Sequence, residues 1–224
     1  MRRTIALTLC ALLAAAASGC TDDRVTLRRG PLGPASYEVR VNARDQAGTQ
    51  AEEHRATMAV EPAESGARFA LRTTEGEVLT AELRISSDGS ANLARIRGGV
   101  TSGQELASLV GQLNPPLPSA PVRLGERWSS TQRITTQSLA ARLRTSLRIV
   151  RFRRVASTDA AELVGDVAGN LRVQGARVLQ GTLSGQTRIV WAVRAGRVVA
   201  ADTSLVWTLS DGNRVTLETT VRPR

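Results

Sequence analysis

Apolar side chains recur at every second position through most of this chain, and that period constrains its fold more than any motif it carries. Successive side chains of an extended chain point to opposite sides, so a period of two marks strands buried on one face. Tyr37, Val39 and Val41 share one parity, with Glu38 and Arg40 on the other. Ala56, Met58 and Val60 repeat the pattern, and so do Ala67, Phe69 and Leu71. Leu79, Ala81, Leu83 and Ile85 follow a turn at Glu75-Gly76. Asp88-Gly89 is a hairpin signal before a short return strand from Leu93 to Ile96.

The second half alternates over longer runs. Leu139, Ala141, Leu143, Leu147 and Ile149 hold one face, against Arg142, Arg144 and Arg148. At Val150-Arg151-Phe152 the parity flips, which predicts a β-bulge. Leu163, Gly165, Val167, Leu171 and Val173 come next, then Leu183, Ile189, Trp191 and Val193. Val199, Ala201, Leu205, Trp207 and Leu209 return, and Val215, Leu217 and Val221 close the series. Slipping any of these strands by one residue would turn its whole apolar set to water, so the register is strongly specified. Gly76-Glu-Val78 and Gly196-Arg-Val198, each followed by Ser-Asp-Gly, form a faint internal repeat.

Between the halves the period changes. Ser102-Gly-Gln-Glu105 is a capping box, and Leu106, Leu109, Val110 and Leu113 recur at helical spacing. Pro115, Pro116, Pro118 and Pro121 then forbid both a helix interior and a central strand. Trp128 and Ile134 resume the alternation, and Gly125 supplies a turn. The pattern predicts a mainly β fold: a single curved antiparallel sheet or half-barrel of about eleven strands, since a sheet so wide curls or splits. One covering α-helix is expected over residues 102–113. The expected organisation is a signal peptide at 1–19, a tether at 20–35 and one β-rich domain at 36–224. Its halves, 36–113 and 126–224, are joined by a Pro-rich hinge at 114–125.

The beginning of the chain reads as an export address. Arg2-Arg3 is a basic start, and Ile5 to Ala17 is an uncharged run too short to span a bilayer permanently. Ala17-Ser18-Gly19-Cys20 follows, and small residues directly before a cysteine resemble the lipobox of bacterial lipoproteins. The resemblance implies cleavage by signal peptidase II and acylation of Cys20, which would become the mature N-terminus. Two or three acyl chains anchor firmly where one alone is marginal. Thr21, in place of the Asp that retains enterobacterial lipoproteins in the inner membrane, implies the periplasmic side of the outer membrane. Val25 and Leu27 allow no more than a short strand beside the glycines of this tether.

Two looser resemblances concern the body of the chain. Pro-Leu-Pro followed by Pro121-Val-Arg-Leu-Gly-Glu-Arg-Trp128 resembles a group of exported β-rich bacterial proteins of unknown function, which carry Pro-Val-x-x-Gly-x-x-Trp between two halves. The strand pattern and the helix are similar to the half-barrel lipoproteins of the LolA and LppX kind. That likeness implies a concave face for a lipid or an amphiphile, and it carries no diagnostic residue.

Composition excludes more than it assigns. The formal charge is +10, and without Arg2 and Arg3 it is +8 (10 − 2). There is no lysine, so every basic side chain is an arginine. Six aromatic residues are too few for stacking bases, which together with the export signal argues against nucleic acid. Cys10 falls in the signal and Cys20 in the lipobox, which leaves no disulfide. His54 is the one histidine, so zinc sites and His-based catalysis are not expected; it reads as an exposed strand residue. No catalytic residue, cofactor or metal ligand is nominated. The candidates are Cys20 for lipidation; Trp128, Trp191 and Trp207 as the lining of a ligand pocket or simply as core; and Arg142, Arg144 and Arg148 as a contact for an anionic surface or a solvated face. The function expected is non-catalytic: a membrane-anchored envelope lipoprotein that binds a hydrophobic or amphiphilic ligand. The alternative is a structural or assembly lipoprotein recognising an envelope protein, and a remote one is an enzyme of unrecognised type.

Overall fold

The computed structural model describes residues 24–30, 34–63, 66–74, 76, 78–85, 91–97, 112–135, 139–155, 157–174 and 178–224. The chain is mainly β. Its strands are β1 (Ala35–Arg44), β2 (Gln50–Ala63), β3 (Gly66–Thr73), β4 (Val78–Ile85) and β5 (Ala91–Arg97) before the proline-rich segment. After it come β6 (Arg127–Thr135), β7 (Leu139–Val155), β8 (Thr158–Gln174), β9 (Val178–Ala192), β10 (Arg197–Leu209) and β11 (Arg214–Pro223). The expected helix over 102–113 falls largely outside the described residues; Gln112 and Leu113 alone are seen, and two residues make no helix. The Asp88-Gly89 hairpin tip also lies outside them.

All the strands join one antiparallel sheet in the order β5-β4-β3-β2-β1-β11-β10-β9-β8-β7-β6. Each half is a meander, and the halves are welded where β1 pairs with β11, from Tyr37 opposite Pro223 to Arg44 opposite Thr216. A single sheet has only itself to pack against, so it must curl until its apolar face is enclosed. One hydrophobic cluster accordingly unites Val39, Met58 and Leu71 of the first half with Leu163, Ile189, Leu205 and Val221 of the second. The edge strands β5 and β6 come alongside one another, but no ladder joins them and the sheet is not closed.

Two devices produce the curl. The register slips between Ile149 and Arg151, which is the bulge expected from the parity flip. A second slip, between Val198 and Ala200, turns Val198 into the core in place of the expected Val199. The other device is glycine. A Cβ built on Gly165 runs into the carbonyl of Ser146, and one on Gly185 into that of Ser204. Neighbouring backbone folds over both positions more closely than any side chain permits, as at the tight bends of a barrel.

Register carries one row of inward residues around the curl: Trp128, Leu147, Gly165, Thr187, Thr203, Thr219, Val41 and His54. Its middle is polar. Thr187, Thr203 and Thr219 are buried, and the hydroxyls of Thr187 and Thr203 lie 2.9 Å apart in a hydrogen bond. Such pairing is what permits hydroxyls inside a core. The row divides the interior into two apolar lobes. One holds Trp191, Ile149 and Val39, the other Trp207, Leu183 and Leu217. His54 shares parity with the buried Ala56 and Met58, so it is half-buried on the inward face rather than exposed as expected.

Candidate functional site

The proline-rich segment does not hang outside as a linker. Asn114 and Pro115 are fully buried and Pro116 is buried beside them. Prolines bring no N–H groups into an interior, so only their carbonyls need partners. Three consecutive carbonyls receive one each, all from side chains. Gln132 Nε2 donates to Asn114 at 3.0 Å, Arg29 Nη2 to Pro115 at 3.2 Å and Trp128 Nε1 to Pro116 at 2.8 Å. Gln132 and Trp128 are inward residues of β6, so the segment climbs along the inward side of that edge strand. It then bridges Val122 to Val25 through N–H···O bonds of 3.0 and 2.8 Å, one in each direction.

Residues 24–30, assigned to a tether in the sequence reading, are therefore part of the folded body. Leu27 is buried in the core, and the Gly30 N–H donates to the Gly196 carbonyl at 3.0 Å. Gly196, at φ +62°, lies so close to Gly30 that neither admits a side chain. Arg29 stretches its guanidinium over the Trp191 ring, 6.0 Å from the centroid. Burial strips water from that guanidinium and lowers its pKa to about 10.

The three tryptophans are not gathered in one pocket. Trp128 sits half-buried at the sheet edge against the hinge. Trp191 is wholly buried in one lobe, and Trp207, almost wholly buried, lies in the other. Trp207 is opposite Leu183, and at about 3.3 Å per residue Leu183 and Trp191 lie about 26 Å apart along β9. Neither buried indole N–H has an acceptor among the described residues.

The outward face has a different character. Arg142, Arg144 and Arg148 lie on it, as the parity predicted, and Arg127, Arg133 and Arg172 join them. Arg127 stands directly opposite Arg148, and Arg133 directly opposite Arg142. All six are exposed, and among the described residues none has an ion-pair or side-chain hydrogen-bond partner. Like charges facing across a ladder cost stability. Beyond the bulge the pattern reverses: Glu162, only 3% exposed, holds Arg151 at 2.7 Å, Arg153 at 3.5 Å and Arg188 at 3.5 Å. Sequence reasoning missed Glu162; its outward parity among so many arginines was the available signal.

A groove of about 680 Å³ crosses the outward face at the level of the threonine row. Arg127, Arg148, Arg188, Asp166, Asp202 and Glu218 line it, in balanced charge. A shallower hollow at the far end of β7 and β8 is lined by Arg133, Arg142 and Arg172. No group of three His, Cys, Asp or Glu side chains able to hold a metal occurs among the described residues. No helix among them is long and apolar enough to cross a membrane. Cys20, the lipidation candidate, lies outside the described residues.

No protein-family model matches this chain, and no curated protein or solved structure is significantly similar to it.

Proposed function

We propose that this protein is a non-catalytic lipoprotein of the bacterial envelope, acylated at Cys20 and held on the periplasmic side of the outer membrane. It acts through its outward surface, as a recognition or assembly factor. The observation that carries this over a carrier of hydrophobic ligands is the packing of the described interior side chains against one another. Apolar side chains of both halves meet in one cluster, and the hinge is buried against it with its carbonyls satisfied. The recognition surface is the polar groove and the arginines beside it. In this reading the whole sheet is one half-barrel of eleven strands, and the helix expected over 102–113 covers what remains of its opening.

The carrier is the second reading, and one observation favours it. The indole N–H groups of Trp191 and Trp207 are buried without acceptors among the described residues, and a buried donor left unpaired costs free energy. The polar head of an amphiphile would supply such an acceptor.

Mass spectrometry of the detergent-purified protein decides between them. A diacylglyceryl-cysteine N-terminus with no further bound lipid after extraction supports the recognition reading. A stoichiometric co-purifying lipid, lost on Trp191→Phe or Trp207→Phe substitution, supports the carrier. An unmodified Cys20 would sink the lipoprotein assignment itself.

A further inference from the structure

The outward sides of β6, β7 and β8 form one cationic face, and the register fixes its pattern. On β6 it carries Arg127, Ser129, Thr131 and Arg133, and directly across the ladder stand Arg148, Ser146, Arg144 and Arg142 of β7. Beyond those lie Val164, Asp166, Ala168 and Asn170 of β8, with Arg172 next on the same parity. Asp166 is the one acid among these residues, against six arginines. The two cross-strand pairs, Arg127 with Arg148 and Arg133 with Arg142, stand six positions apart on each strand (133 − 127 and 148 − 142). That is about 20 Å at about 3.3 Å per residue. The groove holds the first pair and the shallower hollow the second, with Arg144 between them. The acids on the far bank of the groove are engaged elsewhere: Asp202 with Arg222 at 2.6 Å and Glu218 with Arg44 at 3.6 Å.

We infer that this face binds a linear anionic polysaccharide laid along β6 and β7, an inference that rests on the outward recognition surface proposed above. Repeated carboxylates or phosphates of the chain reach the Arg127–Arg148 pair, then Arg144, then the Arg133–Arg142 pair. A guanidinium fork fits either anion. The spread of the cations argues for a chain. No small anion touches both pairs at once, whereas linked anions engage the second pair more readily once the first is bound. The residues in between argue for a sugar polymer. A protein partner would seek apolar or aromatic anchors at the centre of its contact, and a membrane interface would seek apolar tips to enter it. Here the centre is Ser129, Thr131, Ser146 and Asn170, small polar groups that suit sugar hydroxyls. The bound anions also supply the counter-charge that the two like-charge pairs lack.

Binding is measured by isothermal titration on the detergent-purified full-length protein. The probes are size-fractionated polygalacturonate, phosphorylated mannan and neutral dextran. At least one charged polymer is expected to bind at low salt and to be released at high salt, since exposed charges are screened; dextran is not expected to bind. Affinity should rise with chain length until a chain spans about 20 Å, and then level off. Arg127→Gln with Arg148→Gln, or Arg133→Gln with Arg142→Gln, should each weaken binding about tenfold. Arg72→Gln with Arg84→Gln, exposed arginines of the first half, should leave it unchanged. Circular dichroism checks that each variant keeps the fold. Failure of both charged polymers to bind overturns this inference and leaves the recognition reading standing. An equal loss in all three double variants overturns it too, as a general effect of charge. So does galacturonate monomer or inorganic phosphate that competes as well as the chain, or tighter binding to phosphatidylglycerol vesicles than to polymer. A stoichiometric co-purifying lipid, seen beforehand by mass, overturns the recognition reading and this inference with it.

Discussion

The indole N–H of Trp128 is bonded to the carbonyl of Pro116 at 2.8 Å, twelve positions earlier in the chain. This one contact fastens the hinge to the edge strand that follows it. Replacement by Phe keeps most of the buried area and deletes the donor. The Pro116 carbonyl then stays in a poorly hydrated place without its partner. Trp128→Phe is expected to cost about 1–3 kcal/mol in urea unfolding. A variant with an unchanged midpoint would mean that the hinge is not held by this bond.

Gly165 and Gly185 are expected to be intolerant of the smallest change. In both, a methyl group meets backbone of the next strand and cannot be relieved by rotating a side chain. Gly185→Ala should lower stability by about 1–3 kcal/mol, as overpacking does. Gly165→Ala should behave likewise. Both are compared by thermal denaturation with Ser184→Ala, an exposed neighbour on the same strand. Equal melting temperatures in all three would refute the close approach.

Tyr37 is the only tyrosine, so tyrosinate absorbance reports a single group. Its hydroxyl donates to the Val198 carbonyl at 2.9 Å inside the core. Burial raises its pKa, opposed in part by the charge of Arg197. The unfolded phenol ionises near the ordinary value of about 10. The folded state therefore holds its proton to higher pH than the unfolded state. The stability contributed is complete below about pH 10 and is lost as pH rises through the folded pKa. Tyr37→Phe should remove this alkaline slope and cost about 1 kcal/mol at neutral pH. A wild-type phenol that titrates like free tyrosine before unfolding would contradict its burial.

The Arg133 and Arg142 pair makes a prediction of opposite sign. Arg142→Glu turns a like-charge cross-strand pair into an attractive one. It should stabilise by about 0.2–1 kcal/mol at low salt. Added salt should shrink the gain, because exposed charges are screened over about 10 Å at moderate ionic strength. A destabilised Arg142→Glu would show that Arg142 has a structural partner.

The strand parities carried most of this fold in plain view. Val39, Met58, Ile149, Leu163, Trp191 and Trp207 face inward where alternation placed them, and the flip at Val150 marked a real bulge. Threonine was the blind spot: Thr187, Thr203 and Thr219 have a hydroxyl that reads as solvent-facing until a cross-strand partner is known. The burial of the hinge was illegible for a related reason. Prolines rule out helix and central strand without saying whether the segment is exposed, and a residue without an N–H is cheap to bury when its carbonyl finds a donor. Those donors, Gln132, Trp128 and Arg29, lie up to 86 positions away, beyond the reach of local pattern. For the surface site, parity grouped Arg142, Arg144 and Arg148, but only the register reveals Arg127 and Arg133 facing two of them.

The pairing of β1 with β11 joins residues as far apart as Tyr37 and Pro223, a separation of 186 positions (223 − 37). Each meander can zip from its own hairpins, but welding them is a late, non-local step of the kind that slows folding. Until β11 arrives, β1 presents a naked row of amide and carbonyl groups in what will become the middle of the sheet. In a chain made from its N-terminus, β1 carries that adhesive edge for the whole time the second half is being completed. The order of the strands along the chain thus leaves the middle of the sheet as the last part to gain its full set of hydrogen bonds.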